Sequence, residues 1–209
     1  MKGSLIVVAF FALGCFLGWS GYLPETLIEN DMTIYALYLL MFQVGVSIGC
    51  DKKLKEILRS IRPQLLLVPL ATILGTLLFS ALVGLLLSQW SVFECLAVGS
   101  GFAYYSLSSI LITQLKEPSL GLQLATELGT IALMANIMRE IITLLGAPLF
   151  VKYLGPLAPI CAGGATTMDT TLPIITRCSG KDFVFISILH GIIVDFTVPF
   201  FVSFFCSLG

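Results

Sequence analysis

Ala162-Gly163-Gly164-Ala165-Thr166-Thr167-Met168-Asp169-Thr170-Thr171-Leu172-Pro173 interrupts an otherwise lipid-like chain with glycines, threonines, one carboxylate and a proline. A second stretch, Gly99-Ser100-Gly101-Phe102-Ala103-Tyr104-Tyr105-Ser106-Leu107-Ser108-Ser109, replaces the expected Leu/Ile/Val filling with glycine, serine and tyrosine. A bilayer tolerates unwound backbone only where protein or a water-filled cavity satisfies its polar groups. Two Gly/Pro-interrupted apolar segments in one chain therefore point to a transport site. The expected fold is all-α: a polytopic transmembrane helix bundle with two interrupted helices, broken or re-entrant.

Composition supports a membrane setting. Charged residues make up 11% of the 209, hydrophobic ones 57%, and the mean hydropathy is +1.02. A soluble domain carries about 25% charged residues. The length fits a single membrane-transport domain over 1–209. Cys15, Cys50, Cys95, Cys161, Cys178 and Cys206 lack metal-ligand spacing, so they read as small apolar fillers. Residues 1–21 begin like a signal peptide, but the apolar run continues to Leu17, which favours a retained first span. The sequence has no HExxH, no phosphate loop and no dinucleotide fingerprint. The expectation is a protein that is not an enzyme, with no metal and no cofactor.

A membrane-crossing helix needs about 20 mainly apolar residues. Candidates lie near 4–21, 33–49, 64–87, 92–113 (interrupted), 121–147, 156–176 (interrupted) and 183–206. If all seven cross from a cytoplasmic N-terminus, Lys2, Lys52, Lys53, Lys55, Arg59, Arg62, Lys116, Arg177 and Lys181 lie inside and Lys152 outside. That bias satisfies the positive-inside rule. If both interrupted segments turn back instead, Lys116 and Lys152 exchange sides and the balance is unchanged. Either way the C-terminus is external. Placing Gly101 on Gly164 also aligns Ser106 with Asp169 and Ile112-Thr113 with Ile175-Thr176. This weak internal repeat would set two equivalent broken elements around one site.

Ionisable residues inside a membrane are functional candidates, because a charge at the bilayer centre costs at least roughly 2.5–3.5 kcal/mol. Glu140 ranks first. Ala125, Gly129, Ala132, Asn136, Glu140, Thr143 and Ala147 recur at spacings of three and four, so they share one small, polar helix face. Asn136 and Glu140 stand one turn apart. Arg139 points away from Glu140 and is expected to balance nearby carboxylates. Asp169 ranks second, set among Thr166, Thr167, Thr170 and Thr171 where Pro173 and the glycines weaken helix. It is either a ligand for an ammonium group, Na⁺ or H⁺, or an N-cap for the following half-helix. Asp195 shares a stripe with Ser187 and Gly191, which favours an inward position. His190 is a weaker candidate, and Glu127 a relay or a packed partner. Tyr104, Tyr105, Ser106 and Ser108 could hold an alkylammonium by cation–π attraction and hydroxyls, or the tyrosines could be interfacial anchors.

Ala103-Tyr104-Tyr105-Ser106-Leu107-Ser108, Ala135-Asn136-Ile137-Met138-Arg139-Glu140 and Gly163 through Pro173, in that order, resemble the blocks of the bacterial lysine exporter family (LysO type). The resemblance covers nearly the whole chain and corresponds to the C-terminal two-thirds of a full-length member. It implies export of L-lysine and of the analogue thialysine across the inner membrane, with inward proton movement as the driving force. The family's membrane carboxylates match Glu140 and Asp169, which are expected to share a cavity shaped by Asn136, Thr167, Thr170, Tyr104, Tyr105 and Ser106. Arg139, Asp195 and Glu127 would serve as relay or charge balance. The expected partners are L-lysine, protons and the lipid bilayer. A separate small membrane subunit supplying the preceding segments, or a homo-oligomer, completes the list; nucleic acid does not belong on it. A Na⁺/H⁺ or organic-anion carrier with similar broken helices, or a non-autonomous subunit of a split transporter, is the alternative.

Overall fold

The computed structural model describes residues 63–209, with eight isolated helical positions before them: Leu13, Phe16, Leu17, Ser20, Tyr35, Leu39, Phe42 and Val46. The remainder of the expected spans at 4–21 and 33–49, and the basic loop before Pro63, lie outside the described residues. The chain divides into two compact units, Met1–Asp51 and Lys52–Gly209. Among the described residues the second unit is all-helical. Three stretches there are long and apolar enough to cross a membrane: Leu67–Leu86, Leu122–Leu154 and Lys181–Leu208. They contain helix α1 (Leu67–Leu86), helix α4 (Leu122–Leu154) and helix α7 (Val184–Leu208). Leu74, Phe79, Leu145 and Phe200 on these helices are each more than half exposed, as side chains that meet lipid are.

Between α1 and α4 the chain forms α2 (Val92–Gly99) and α3 (Tyr105–Leu120). A complete capping box starts α2. The Ser91 hydroxyl accepts from the Glu94 N–H at 3.2 Å, and the Glu94 carboxylate accepts from the Ser91 N–H at 2.8 Å. Glu94 also pairs with the buried Lys116 of α3 at 3.3 Å. That contact brings the start of α2 and the end of α3 to the same end of the bundle. The two helices form a hairpin, and an eight-residue α2 reaches only about 12 Å.

A second hairpin follows α4. It comprises α5 (Ala158–Gly163), a 3₁₀ turn over Gly164–Met168, and α6 (Leu172–Ser179). Ile160 of α5, Ile175 of α6 and Ile186 of α7 form one buried cluster, with Leu65, Val68 and Phe183 against it. Both ends of this hairpin therefore lie beside the start of α1. The first hairpin lies beside its end, where Gly84 touches Val92 and Cys95. The hairpins thus enter the bundle from opposite ends. The charge rule could not separate crossing from returning, since either arrangement gives the same balance.

Helix α4 runs past its expected end at 147 and through Pro148 to Leu154. A proline removes one backbone donor, whereas the stop is Gly155 at φ 92°, a conformation that L side chains avoid. The buried face of α4 contains Ala125, Gly129, Ala132, Asn136, Thr143 and Ala147, the expected stripe without Glu140. Gly129 packs on Ser109 and Thr113 of α3, an approach that only a small residue permits.

Candidate functional site

The middle of α4 holds the tips of both hairpins. The Ala103 N–H donates to the Asn136 side-chain oxygen at 2.7 Å, and the Asn136 amide donates to the Ser108 hydroxyl at 3.3 Å and the Ala132 carbonyl at 2.8 Å. One turn on, Arg139 donates through Nε to the Ala162 carbonyl at 2.8 Å. Its Nη2 reaches the Cys161 carbonyl at 3.1 Å, and its Nη1 the Thr76 hydroxyl at 3.3 Å. A cation at the C-terminal end of α5 suits the partial negative charge of those carbonyls. Buried backbone groups left without partners would cost about 1–3 kcal/mol each. Asn136 and Arg139 are therefore what allows both tips to stay unwound in the interior.

The two tips also join each other. The Ala165 N–H donates to the Phe102 carbonyl at 2.8 Å. Gly164 sits at φ 61°, and a Cβ there would run into that same carbonyl oxygen. Phe102 and Ala103 adopt φ of 44° and 76°, a strained region for L residues. Thr167 fastens the second tip to α7. Its hydroxyl lies 2.9 Å from the Ser187 carbonyl, 2.8 Å from the Gly164 carbonyl and 3.1 Å from His190 Nδ1. The Ser187 hydroxyl donates back to the Thr167 carbonyl at 2.9 Å, and His190 Nε2 meets the Thr72 hydroxyl at 2.9 Å.

Beside this junction lies a cavity of about 200 Å³. The first tip contributes Tyr104, Tyr105 and Ser106, the second Met168, Asp169 and Thr170, and α7 contributes Asp195. Asp169 and Thr170 are exposed at its mouth, whereas Asp195 is only 8% exposed. The Asp169 carboxylate accepts from the Thr170 N–H. Asp169 is not the cap of α6, because Thr171 occupies the cap position without a side-chain bond. A larger cavity of about 740 Å³ lies between α1, α2 and α4, with mostly apolar walls and Thr72, Thr76, Asn136 and Arg139 among its polar lining. It has no carboxylate in its lining, so the smaller cavity is the one equipped for a cation.

The structure thus gathers Asp169, Thr170, Tyr104, Tyr105, Ser106 and Asp195 around one cavity, with Asn136 and Thr167 bracing its walls from behind. The tyrosines lie at a hairpin tip rather than at a bundle end, which argues against a role as interfacial anchors. Two of the expected residues lie apart from this cavity. Glu140 is half-buried and lines neither of these two cavities. Arg139 binds backbone carbonyls and Thr76, with no carboxylate partner among the described residues. Both residues flank the buried line of α4, and the carbonyl end of α5 attracts the cation. Glu127 is exposed and accepts from the Gln89 side chain at 3.5 Å near the end of α1, away from the cavity. Sequence reasoning missed Thr72 and undervalued His190. Neither had a motif around it; the inward stripe of Ser187, Gly191 and Asp195 was the available signal.

A family model described as "Lysine exporter LysO" matches residues 8–206. The lysine exporter LysO of Escherichia coli K12 is 31% identical over 202 residues, covering 96% of this chain and 62% of the relative. A Haemophilus influenzae protein, provisionally named a lysine exporter, is 32% identical over 179 residues, covering 85% of this chain and 86% of the relative. The chain therefore spans less than two thirds of the length of the Escherichia coli protein it matches. No solved structure matches it.

Proposed function

This chain belongs to the lysine exporter LysO family, and from that premise we propose that it is a secondary transporter that exports L-lysine, and thialysine with it, across the bacterial inner membrane in exchange for protons. The observation that carries the reading is the cavity where two oppositely entering hairpin tips meet beside Asp169 and Asp195. Unwound tips free backbone groups at mid-bundle, and carboxylates there favour a cation that has shed its water. The same carboxylates disfavour an organic anion.

In this reading the hairpins are re-entrant. The end of the bundle carrying the exposed Lys152, Arg177 and Lys181 faces the cytoplasm, and the C-terminus is external. Asp169 alternately holds a proton and an ammonium group of lysine, with Tyr104, Tyr105, Ser106 and Thr170 shaping the cavity and Thr167 and Asn136 bracing its walls. Competition for one carboxylate couples the two fluxes, because each guest binds the inward- and outward-open states with different affinity. Glu140, outside the cavity, is a proton site on the route and not a lysine ligand.

Proteoliposomes loaded with lysine test this. Wild-type protein should release lysine down an imposed inward proton gradient, and Asp169→Asn should abolish release while the protein stays folded. Glu140→Gln should bind lysine but lose lysine-dependent proton movement. Undiminished release by both variants would refute the assignment.

A further inference from the structure

We infer that Asp195 is the second carboxylate of a monovalent-cation site and shares a single ammonium group with Asp169. The inference rests on the reading just given and deepens it. Asp195 is the twelfth of the 25 residues of α7 (195 − 184 + 1), midway along a helix about 37 Å long. It is 8% exposed, lines the cavity, and has no hydrogen-bond or ion-pair partner among the described residues. An ionised carboxylate in that condition is costly unless something positive joins it.

No cation among the described residues pairs with it. Arg139 is committed to the Ala162 and Cys161 carbonyls and to Thr76. Lys116 is committed to Glu94 near the end of the first hairpin. His190, more than one turn before Asp195 on the same helix, has one ring nitrogen against Thr72 and the other against Thr167. Asp169 is the charged neighbour that Asp195 does have, and its sign is the same. Tyr104 stands within electrostatic reach of both carboxylates.

The placement is held from two sides. Ser187 and His190 tie α7 to the second tip below Asp195. Phe201 meets the ring of Phe102 at 6.2 Å beyond it, on the first tip. Asp195 is therefore set between two fastened points, in the lining of the cavity that it shares with the other acid. An alkylammonium has three N–H donors. Two carboxylates and the Tyr104 hydroxyl supply acceptors for all three, in a cavity smaller than the about 300 Å³ lower bound of drug-sized pockets. A compact charged head fits that description.

Equilibrium binding of radiolabelled L-lysine to the detergent-purified full chain, with the thermal midpoint measured alongside, tests the inference. Asp195→Asn should weaken lysine binding on the order of 30-fold at an unchanged midpoint, and Asp195→Glu should recover most of the affinity. Wild-type affinity in Asp195→Asn would overturn the shared site. If Asp195→Asn lowers the midpoint, Asp195→Glu decides: retained binding supports the shared site and lost binding removes it. If the wild-type chain binds no lysine, the exporter reading fails on its own, and methylammonium and Na⁺ then probe the pair. Loss of their binding in Asp195→Asn keeps the two-carboxylate site, whereas unchanged or absent binding eliminates it.

Discussion

The two hairpin tips meet at one hydrogen bond but are built differently. The first, from Ser100 into the start of α3 at Ser106, places Phe102 and Ala103 at positive φ and is steadied by Asn136. It brings aromatic rings and hydroxyls to the cavity but no charge. The second, from Gly164 to Thr171, turns on a glycine, is steadied by Arg139 and α7, and brings Asp169. The repeat that pairs Ser106 with Asp169 in sequence places both in the same cavity. A near-symmetric scaffold thus carries an asymmetric site: one tip walls the cavity and the other charges it.

The largest expected difference between the tips is functional. Asp169→Asn should reduce the proposed lysine export by more than about 100-fold, while Ser106→Ala should stay within about fivefold, since a rim hydroxyl contributes far less than the carboxylate that pairs with the cation. Comparable losses in initial efflux rate from the two variants would erase the distinction.

Stability sharpens the comparison next. Gly164→Ala combines positive φ with overlap on the Phe102 carbonyl and should cost about 3 kcal/mol or more. Gly155→Ala has positive φ but open space around the added Cβ and should cost about 1–2 kcal/mol. Thermal midpoints in detergent should preserve that order.

The bracing residues on α4 come third. Arg139→Met strands the Ala162 and Cys161 carbonyls and should cost about 2–4 kcal/mol. Asn136→Leu strands the Ala103 N–H and should cost about 1–3 kcal/mol. A milder effect at Arg139 than at Asn136 would mean that the second tip depends chiefly on α7. The smallest effect belongs to Glu127→Gln. It removes the charge from a long, exposed contact with Gln89, so midpoint and efflux rate should both stay at wild-type values.

Periodicity made the packing face of α4 readable before any coordinates. Residues 125, 129, 132, 136, 143 and 147 fall within about 40° of one line at 100° per residue. The same arithmetic could not choose between Arg139, about 60° to one side of Asn136, and Glu140, about 40° to the other. The choice depends on what the neighbouring helix presents. The C-terminal carbonyls of α5 take a cation, and a long guanidinium reaches them. Asp195 shows the same limit. Its stripe with Ser187 and Gly191 predicted an inward direction, but its place in one cavity lining with Asp169 required knowing where the second tip folds.

Sequence alone determined that this chain is helical and membrane-embedded, which stretches depart from the apolar pattern, and which lines of small residues let helices pack closely. Those properties follow from local composition and from repeats within one helix. Tertiary structure decided that two short helical hairpins form, that their tips meet, and that two acids more than 20 residues apart line one cavity. Each of those depends on contacts between distant segments, such as Glu94 with Lys116 and Ala165 with Phe102, whose register no local pattern specifies.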